Sequence, residues 1–186
     1  MRIISGNLKG KKIFFPSDKT TRPLRDLVKE SIFNLIEHSK KIDIQIKNSN
    51  VLDLFAGSGA FGLECISRGS KNVVFIEIYL EALKTLKTNV DNLDVKKNCK
   101  IIEENFFNNY ENFKNFEEKF DLIFLDPPYK EKNINQLIEK ILDFKILKND
   151  GIIIIHRHKK DDIEITSKLK ILDKRFYGIS KIIIGN

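Results

Sequence analysis

From residue 51 onward, the sequence alternates short apolar runs with segments of helical periodicity, and this alternation constrains the fold more than any other feature. An uninterrupted apolar run of roughly four to eight residues is typical of a strand that is buried on both faces. Repeated strand–helix units of this kind form a parallel sheet covered by helices on both sides. The predicted strands are 51–55, 72–78, 100–103, 120–125, 151–155, 165–176 and 180–184, and the predicted helices are 25–37, 60–68, 80–93 and 134–144. We therefore expect an α/β fold.

The first 47 residues have a different character. Basic and apolar residues alternate around Gly6 and Gly10, which predicts a short β-hairpin. The helix predicted at 25–37 follows, and a polar linker then leads into the first strand of the sheet. We therefore divide the chain into an N-terminal hairpin and helix extension, residues 1–47, and a main domain, residues 48–186.

The net charge of +7 is distributed unevenly along the chain. Residues 1–47 carry a net charge of +6, residues 48–156 carry −3, and residues 157–186 carry +4. Basic flanks attract phosphates without sequence selectivity, although an ordinary lysine-rich surface would have the same composition. We predict that basic residues of the extension contact nucleic acid. They are Arg2, Lys9, Lys11, Lys12, Arg22 and Lys29.

The composition, with 41% hydrophobic and 32% charged residues, is typical of a globular protein. The sequence has no apolar run of about 18 residues and no apolar signal core near Met1, so neither a membrane span nor secretion is expected. Cys65 and Cys99 have no CxxC partner and no histidine nearby, which favours reduced core cysteines over a disulfide or a metal site. We expect a monomeric cytoplasmic protein with no membrane association.

A glycine-rich turn, Gly57–Gly62, joins the first strand to its helix. Glycines let the backbone approach a ligand closely, and the start of the helix favours polar or anionic groups. Glu77 ends the second strand, where a carboxylate can accept hydrogen bonds from both hydroxyls of a ribose. This pattern predicts an adenosine-containing ligand, but it does not by itself separate NAD from S-adenosylmethionine.

Asp53 favours S-adenosylmethionine. It lies inside the first apolar strand, where a lone carboxylate is costly unless it has a partner. It could orient the glycine turn, or contact through water the ammonium of a methionine moiety, a group that NAD lacks. Asn105, just past the third strand, could bind the adenine edge, although an exposed loop asparagine is an equal alternative. The predicted cofactor-binding residues are Asp53, Phe55, Gly57, Ser58, Gly59, Glu77 and Asn105.

The tetrapeptide Asp126-Pro127-Pro128-Tyr129 directly follows the fourth strand, at the edge where open α/β sheets bind their ligands. The prolines stiffen the loop and remove two backbone donors, but they keep their carbonyls. The amino nitrogen of a base is a poor nucleophile because its lone pair is delocalised into the ring. If the Asp126 carboxylate and the Pro127 carbonyl accepted its N–H bonds, the lone pair would point at a sulfonium methyl. Tyr129 would stack on the base once it is turned out.

These residues resemble known families. The residues 51–60, VLDLFAGSGA, and the DPPY tetrapeptide are similar to the class I amino-methyltransferases. Further residues resemble the bacterial RsmD family, and they extend that resemblance over nearly the whole chain. They are RIISG at 2–6, KGKK at 9–12, Arg22-Pro23, Asp26, Val28, Lys29, Glu30, Phe33-Asn34 and Tyr177-Gly178.

The RsmD resemblance implies both a fold and a function. The fold is a Rossmann-like sheet of seven mostly parallel strands with the last strand antiparallel, plus an N-terminal hairpin. The function is methylation, by S-adenosylmethionine, of the N2 amino group of a guanine in 16S ribosomal RNA, free or in the small ribosomal subunit. The resemblance also places the DPPY tetrapeptide at the acceptor site and the basic extension on RNA.

The sequence departs from the RsmD pattern in two places. Two threonines are usual after the Arg-Pro pair, but this sequence has Leu24-Arg25 there. A glutamate usually follows the fifth strand, but this sequence has Ile155-His156-Arg157-His158 there. His156 and His158 would face the same way on a strand, but a metal site needs further ligands, so we interpret them as surface histidines. Both places could touch the substrate.

Other functions remain open from the sequence. DNA adenine N6- or cytosine N4-methylation also uses this tetrapeptide, but such enzymes usually carry a target-recognition domain, for which this chain has no room. Protein glutamine methylation usually has an asparagine in place of Asp126. A non-catalytic RNA-binding module for ribosome assembly, or an NAD dehydrogenase, would share the fold but transfer no methyl group.

Overall fold

The computed structural model describes residues 1–16, 24–107 and 110–186. The helices are α1 (Asp26–His38), α2 (Ala60–Ser67), α3 (Leu80–Asn92) and α4 (Ile134–Asp143). The strands are β1 (Asn50–Leu54), β2 (Asn72–Ile76), β3 (Cys99–Ile102), β4 (Phe120–Leu125), β5 (Leu147–His158), β6 (Ile171–Tyr177) and β7 (Ser180–Gly185). Short 3-10 turns lie at Lys96–Asn98 and Tyr110–Asn115.

Over these residues the strands form one sheet of seven, in the order β3-β2-β1-β4-β5-β7-β6. The first five strands in this order, β3, β2, β1, β4 and β5, pair in parallel. Strand β7 is antiparallel to both of its neighbours, β5 and β6. The predicted fold class is therefore confirmed. The chain leaves β1 for β2 on one side and returns to β4 on the other, so the strand order reverses between β1 and β4. Ligands of open α/β sheets bind at such a reversal, outside the carboxyl ends of the strands.

Each face of the sheet packs against its own helices. Alternate residues of β4 show the division, because Leu122 and Phe124 belong to one apolar core and Ile123 and Leu125 to the other. The first core includes side chains of α1, α2 and α3, and the second includes those of α4 and the 3-10 turn Tyr110–Asn115. Burial on both faces explains why the strands read as continuous apolar runs.

The described part of the extension belongs to the first core and is not a separate unit. Ile3 and Ile13 pack in the same apolar cluster as Phe75 of β2 and Phe124 of β4. The predicted hairpin is reduced to a single antiparallel bridge between Arg2 and Lys12. The chain around it is held mainly by contacts with α2.

A buried carboxylate fastens the extension to α2. Glu64 accepts hydrogen bonds from the backbone N–H groups of Ile4 and Ser5 at 2.8 and 2.9 Å. Its oxygens also lie 3.3 Å from the Lys29 ammonium and 3.0 Å from Arg68 Nε. Burial lowers the pKa of Lys29, although the carboxylates of Glu64 and Asp26 oppose that shift. Four donors therefore converge on one carboxylate inside the protein.

The element boundaries differ from the predictions mainly in the second half of the chain. The fifth strand was predicted at 151–155 but spans Leu147–His158, because its start pairs with β4 across an irregularity in register. The sixth begins at Ile171 and not at 165. No helix in the described part of the chain is both long enough and apolar enough to cross a bilayer.

Replacing Glu64 by glutamine should destabilise the protein. The substitution keeps the shape of the side chain but leaves the buried Lys29 ammonium without its nearest carboxylate. We expect the free energy of unfolding to fall by about 3 kcal/mol, as is typical when a buried ion pair loses one partner. Urea unfolding of both proteins measures the change.

Glu81→Gln is the matched control, because Glu81 pairs with Lys84 on an exposed face of α3. An exposed pair of this kind contributes at most about 0.5 kcal/mol. If Glu64→Gln were no more destabilising than Glu81→Gln, the carboxylate would not be what holds the extension.

Candidate active site

A cavity of about 740 Å³ opens at the carboxyl ends of β1, β2 and β4. This volume is within the range of sites for small molecules and cofactors. Its walls combine apolar side chains with a few polar groups. Among its lining residues are Asp53, Phe55, Gly57, Ser58, Glu77, Asn105, Asp126, Pro128 and Tyr129, which sequence reasoning had proposed, and Leu24, Ile78, Tyr79, Phe107, Lys130 and Glu131, which it had not. Gly59 and Pro127, also proposed, are not among them.

The glycine turn is shaped by close packing. Gly59 precedes α2 with φ +80°, and a Cβ at this position would lie 2.4 Å from Leu86 Cδ1. A Cβ on Gly62 would lie 2.3 Å from the Phe75 ring. Gly59 therefore lets the turn pack closely against α3, and Gly62 lets α2 lie close to β2, as a glycine of dinucleotide-binding turns does. Gly62 was missing from the predicted site residues, and its place in the GxGxxG spacing was the signal for it.

Glu77 is already held in position by the backbone. Its Oε2 accepts the Gly57 N–H at 2.7 Å. Its Oε1 accepts the N–H groups of Ile78 and Tyr79 at 2.8 and 2.7 Å. The carboxylate links the glycine turn to the end of β2. Oε1 already accepts two N–H groups and Oε2 accepts one, so Oε2 keeps an acceptor site for a ligand.

Asp53 is buried in β1 and points toward the cavity. Its Oδ2 accepts the Gly62 N–H at 3.0 Å, so it orients the first turn of α2. Burial raises its pKa to about 8, with smaller contributions from the Asp126 and Glu77 carboxylates, while the Gly62 N–H opposes the shift. Asp53 is therefore protonated at neutral pH unless a cation binds beside it.

Asn105 and two aromatic side chains form another wall. The Asn105 side chain accepts the Phe107 N–H at 3.0 Å and thereby closes a local turn. The rings of Phe55 and Phe107 lie 5.5 Å apart. Phe55 has φ +67°, which is uncommon for a residue that is not glycine, and so the chain after β1 turns sharply into the cavity.

The DPPY loop, residues 126–131, begins where β4 ends. Asp126 Oδ1 lies 2.8 Å from His156 Nδ1, and His156 Nε2 lies 2.8 Å from the hydroxyl of Ser180. His156 is buried, so the prediction of a surface histidine was wrong at this position. It lies beside Asp126 because β4 and β5 are parallel neighbours. His158 is partly buried, and its ring lies edge-on, 5.1 Å from the Tyr129 ring.

Arg157 was also missed. Its guanidinium is buried and donates to the carbonyl oxygens of Pro128, Tyr129 and Glu131 at 3.1, 3.1 and 3.0 Å. The sequence signal was the position of these basic residues at the end of an apolar strand, next to the strand that carries Asp126. On the sequence alone, residues 155–158 are a departure from the RsmD pattern that could touch substrate, and the two histidines are weighed only as surface residues or metal ligands.

The residues predicted to contact nucleic acid differ in their exposure to solvent. Arg2, Lys9, Lys11 and Lys12 are exposed on the extension. Arg22 lies outside the described residues. Lys29 is fully buried and donates to the Arg2 carbonyl, so the prediction that it contacts nucleic acid was wrong. Both cysteines are free thiols, with Cys65 buried and Cys99 partly buried.

Acidic groups dominate the charge of the cavity. Among the described lining residues, four carry carboxyl groups and one, Lys130, carries a cation. The carboxyl groups belong to Asp53, Glu77, Asp126 and Glu131. Such a cavity favours a cationic ligand and opposes a pyrophosphate.

The pKa of Asp53 makes the stability of the free protein depend on pH. Folded Asp53 keeps its proton up to a pH of about 8, whereas an unfolded aspartic acid loses it near a pH of about 4. Between those limits the native state binds the extra proton, so this contribution to stability is lost as the pH rises. Asp53→Asn has no such proton. We expect the free energy of unfolding of wild type, relative to Asp53→Asn, to fall by roughly 2 to 4 kcal/mol between a pH of about 5 and about 8.

Urea unfolding of both proteins at the two pH values measures this difference. Asp143→Asn, a change at a half-exposed carboxylate paired with Lys168, is the control and should show no such relative fall. A constant difference between wild type and Asp53→Asn would contradict the raised pKa.

Comparisons with known proteins agree with this geometry. The family model described as Conserved hypothetical protein 95 matches residues 1–186. YlbH of Bacillus subtilis (strain 168) is 34% identical over 99% of this chain and 97% of its own. The "Ribosomal RNA small subunit methyltransferase D" of Buchnera aphidicola subsp. Acyrthosiphon pisum is 34% identical over 93% of this chain and 86% of its own. The solved structure of yhhF from Escherichia coli has the same fold, with a TM-score of 0.81 at 24% identity over 100% of this chain and 96% of that chain. The chain therefore belongs to the Conserved hypothetical protein 95 family, and its resemblance to the RsmD methyltransferases is confirmed.

Proposed function

We propose that this protein is an S-adenosylmethionine-dependent methyltransferase of ribosomal RNA, and that its acceptor is the exocyclic N2 amino group of a guanine in 16S ribosomal RNA. One observation carries the proposal. The DPPY loop and the glycine turn, which come from different strand–helix units, open on one cavity at the reversal of strand order. A methyltransferase needs such a cavity, because donor and acceptor must meet in line.

The chemistry of the cavity fits S-adenosylmethionine, which supplies an electrophilic methyl group on a sulfonium. Glu77 would accept a ribose hydroxyl at Oε2, and Asn105 and Phe107 would border the adenine. Asp53 would face the methionine ammonium and lose its proton to solvent when that cation binds. The acidic lining also argues against NAD, since its pyrophosphate would meet several carboxylates.

At the acceptor side, two oxygens of the DPPY loop receive the amino group. The Asp126 carboxylate and the Pro127 carbonyl accept its two N–H bonds, which localises the lone pair on nitrogen. Bound S-adenosylmethionine would supply its methyl group to this lone pair and leave as the neutral thioether, and the nitrogen would become cationic. Asp126 receives the excess proton. Tyr129, whose ring is steadied at its edge by His158, stacks on the base.

The choice of ribosomal RNA is supported by the relatives named for small-subunit ribosomal RNA and by the exposed basic residues of the extension. The choice of guanine N2 rests on the resemblance to the RsmD family. We propose that the enzyme acts as a cytoplasmic monomer on 16S ribosomal RNA, free or in the small ribosomal subunit. DNA methylation and a non-catalytic role in ribosome assembly are the alternatives that the experiments below separate.

Asp126→Ala should lose methyl transfer while it keeps the cofactor site. We expect kcat to fall by about 100-fold or more, the size of effect seen when one transition-state acceptor or donor is removed. Affinity for S-adenosylhomocysteine should stay near that of wild type. Transfer of labelled methyl to ribosomal RNA from a deletion strain, and calorimetry with S-adenosylhomocysteine, measure the two quantities.

Asp121→Ala, at the opposite end of β4, is the control for this experiment and should retain its activity. An Asp126→Ala protein as active as wild type would refute the mechanism. Mass spectrometry of the labelled RNA identifies the base: N2-methylguanine supports the proposal, and methyladenine would refute the choice of acceptor. A wild-type protein that methylated DNA but not RNA would favour DNA methylation, and one that methylated neither would favour the assembly role.

The extension should account for part of the salt dependence of RNA binding. Replacing Lys9, Lys11 and Lys12 by alanine removes three exposed cations. If each contacts a phosphate, the slope of log affinity against log salt should flatten by about 2, because each phosphate contact of a single strand contributes about 0.7. Filter binding over a range of salt concentrations measures the slope, and the affinity for S-adenosylhomocysteine should not change.

A triple alanine variant of Lys168, Lys170 and Lys174 removes the same charge near β6, the far edge of the sheet. Its slope should stay closer to that of wild type. Equal slopes for the two triple variants would exclude the extension from the RNA site.

A further inference from the structure

The end of β5 contacts the DPPY loop at three consecutive positions. His156 contacts Asp126, Arg157 contacts the carbonyls that follow, and His158 contacts Tyr129. Since side chains of a strand alternate between its faces, the two histidines reach the loop from one face and Arg157 from the other. The loop is thus held on both sides of β5.

Arg157 is chemically matched to this loop. Two prolines leave the loop with few donors and with all of its carbonyl acceptors, and an arginine side chain offers five donors and no acceptor. Three of its N–H groups meet the carbonyls of Pro128, Tyr129 and Glu131. The Pro128 carbonyl also accepts the Glu131 N–H at 2.9 Å, which closes a turn.

A carboxylate completes the surroundings of Arg157. Its Nε donates to Asp161 Oδ2, and Asp161 Oδ1 accepts the Ile163 N–H at 3.0 Å. Burial favours the neutral acid, but the Ile163 N–H and the Arg157 guanidinium outweigh it and lower the pKa of Asp161. The guanidinium is therefore paired and bonded on four of its five N–H positions, although it is fully buried.

The contacts of Arg157 divide the carbonyls of the loop into those that it bonds and those that it leaves without a bond. Those of Pro128, Tyr129 and Glu131 turn toward the guanidinium, whereas no donor in the described part of the chain bonds the Pro127 carbonyl. His156 occupies Oδ1 of Asp126 and leaves its Oδ2 without a donor among the described residues. The two oxygens assigned above to the amino group are thus among those of the loop that no donor in the described ranges bonds.

We propose that Arg157 is a positioning residue for methyl transfer. It draws three carbonyls of the DPPY loop to itself and so presents the Pro127 carbonyl and the Asp126 carboxylate to the amino group. This role rests on the proposed methyltransferase function. A buried ion pair adds little net stability compared with apolar residues of the same volume, so stability alone does not explain the guanidinium.

Arg157→Lys tests the role. Lysine keeps the charge and can pair with Asp161, but a single ammonium cannot hold three carbonyls in the plane of a fork. We expect kcat for methylation of ribosomal RNA to fall by about 10- to 100-fold, since a small misplacement of acceptors costs this much. The affinity for S-adenosylhomocysteine should stay within about twofold of wild type, because Glu77 and the glycine turn are untouched.

Arg68→Lys is the matched control. Arg68 is another largely buried arginine with two ion pairs, to Glu37 and Glu64, but it lies at the far end of α2 and does not contact the DPPY loop. Its variant should lose comparable thermal stability and keep its kcat. Arg157→Lys with a wild-type kcat would overturn the proposal, as would parallel losses of kcat and of affinity for S-adenosylhomocysteine in both variants.

If Arg157→Lys does not fold, Asp161→Asn weakens the same anchor more gently. It should lower kcat by about threefold or more, with the affinity for S-adenosylhomocysteine unchanged, because a looser guanidinium holds the carbonyls less well. An unchanged kcat would overturn the proposal. The two possible failures can be told apart. If wild type itself transferred no methyl group, the proposed function would be refuted. If wild type were active and Arg157→Lys equally active, only the role of Arg157 would be refuted.

Discussion

The adjacency of β1 and β4 is the constraint on which the candidate site depends. The two strands pair in parallel with Leu54 opposite Leu125, so their carboxyl ends finish together. The chain beyond β1 becomes the glycine turn, and the chain beyond β4 becomes the DPPY loop. Because β2 lies on one side of this pair and β5 on the other, Glu77 and His156 arrive at the same edge. Backbone hydrogen bonding therefore brings together groups that are far apart in sequence.

This convergence has an electrostatic cost. Several carboxyl groups line one cavity, and burial raises the pKa of Asp53 to about 8. The free protein lowers the cost by leaving Asp53 protonated and by surrounding Glu77 with three backbone N–H groups. A cationic ligand would lower the remaining cost, since its charge offsets the field that the carboxylates create. Selection of a sulfonium and an ammonium over a pyrophosphate then follows from charge as well as from shape.

The fold was predictable because its strands are buried on both faces, and β4 was predicted at its observed bounds, Phe120–Leu125. Lys29 was misjudged as a surface charge, although Ile32, Phe33 and Ile36 lie on the same helical face at intervals of three, four and seven residues. That spacing would have placed it inside. Its charge favoured an exposed position, since a buried lysine needs a partner. That partner, Glu64, is 35 positions away in another element, and sequence periodicity does not reveal it.

His156 and Arg157 were missed for a related reason. Their role depends on which strand lies beside β5, and periodicity along one strand says nothing about its neighbour. Once Leu125 is paired with Ile155, the next residues, Asp126 and His156, must lie side by side.

A second buried polar side chain joins the extension to the cofactor side of the cavity. Asn89 of α3 accepts the Phe14 N–H at 2.8 Å and donates to the Phe14 carbonyl at 3.0 Å. The same amide donates to the Ser58 carbonyl in the glycine turn at 2.9 Å. With all three bonds made, the amide is well satisfied inside the protein and has little freedom to shift. Phe14 of the extension and the glycine turn thus share one attachment. A substrate held by the extension would therefore meet the cavity at a fixed distance, which in-line transfer to a stacked base requires.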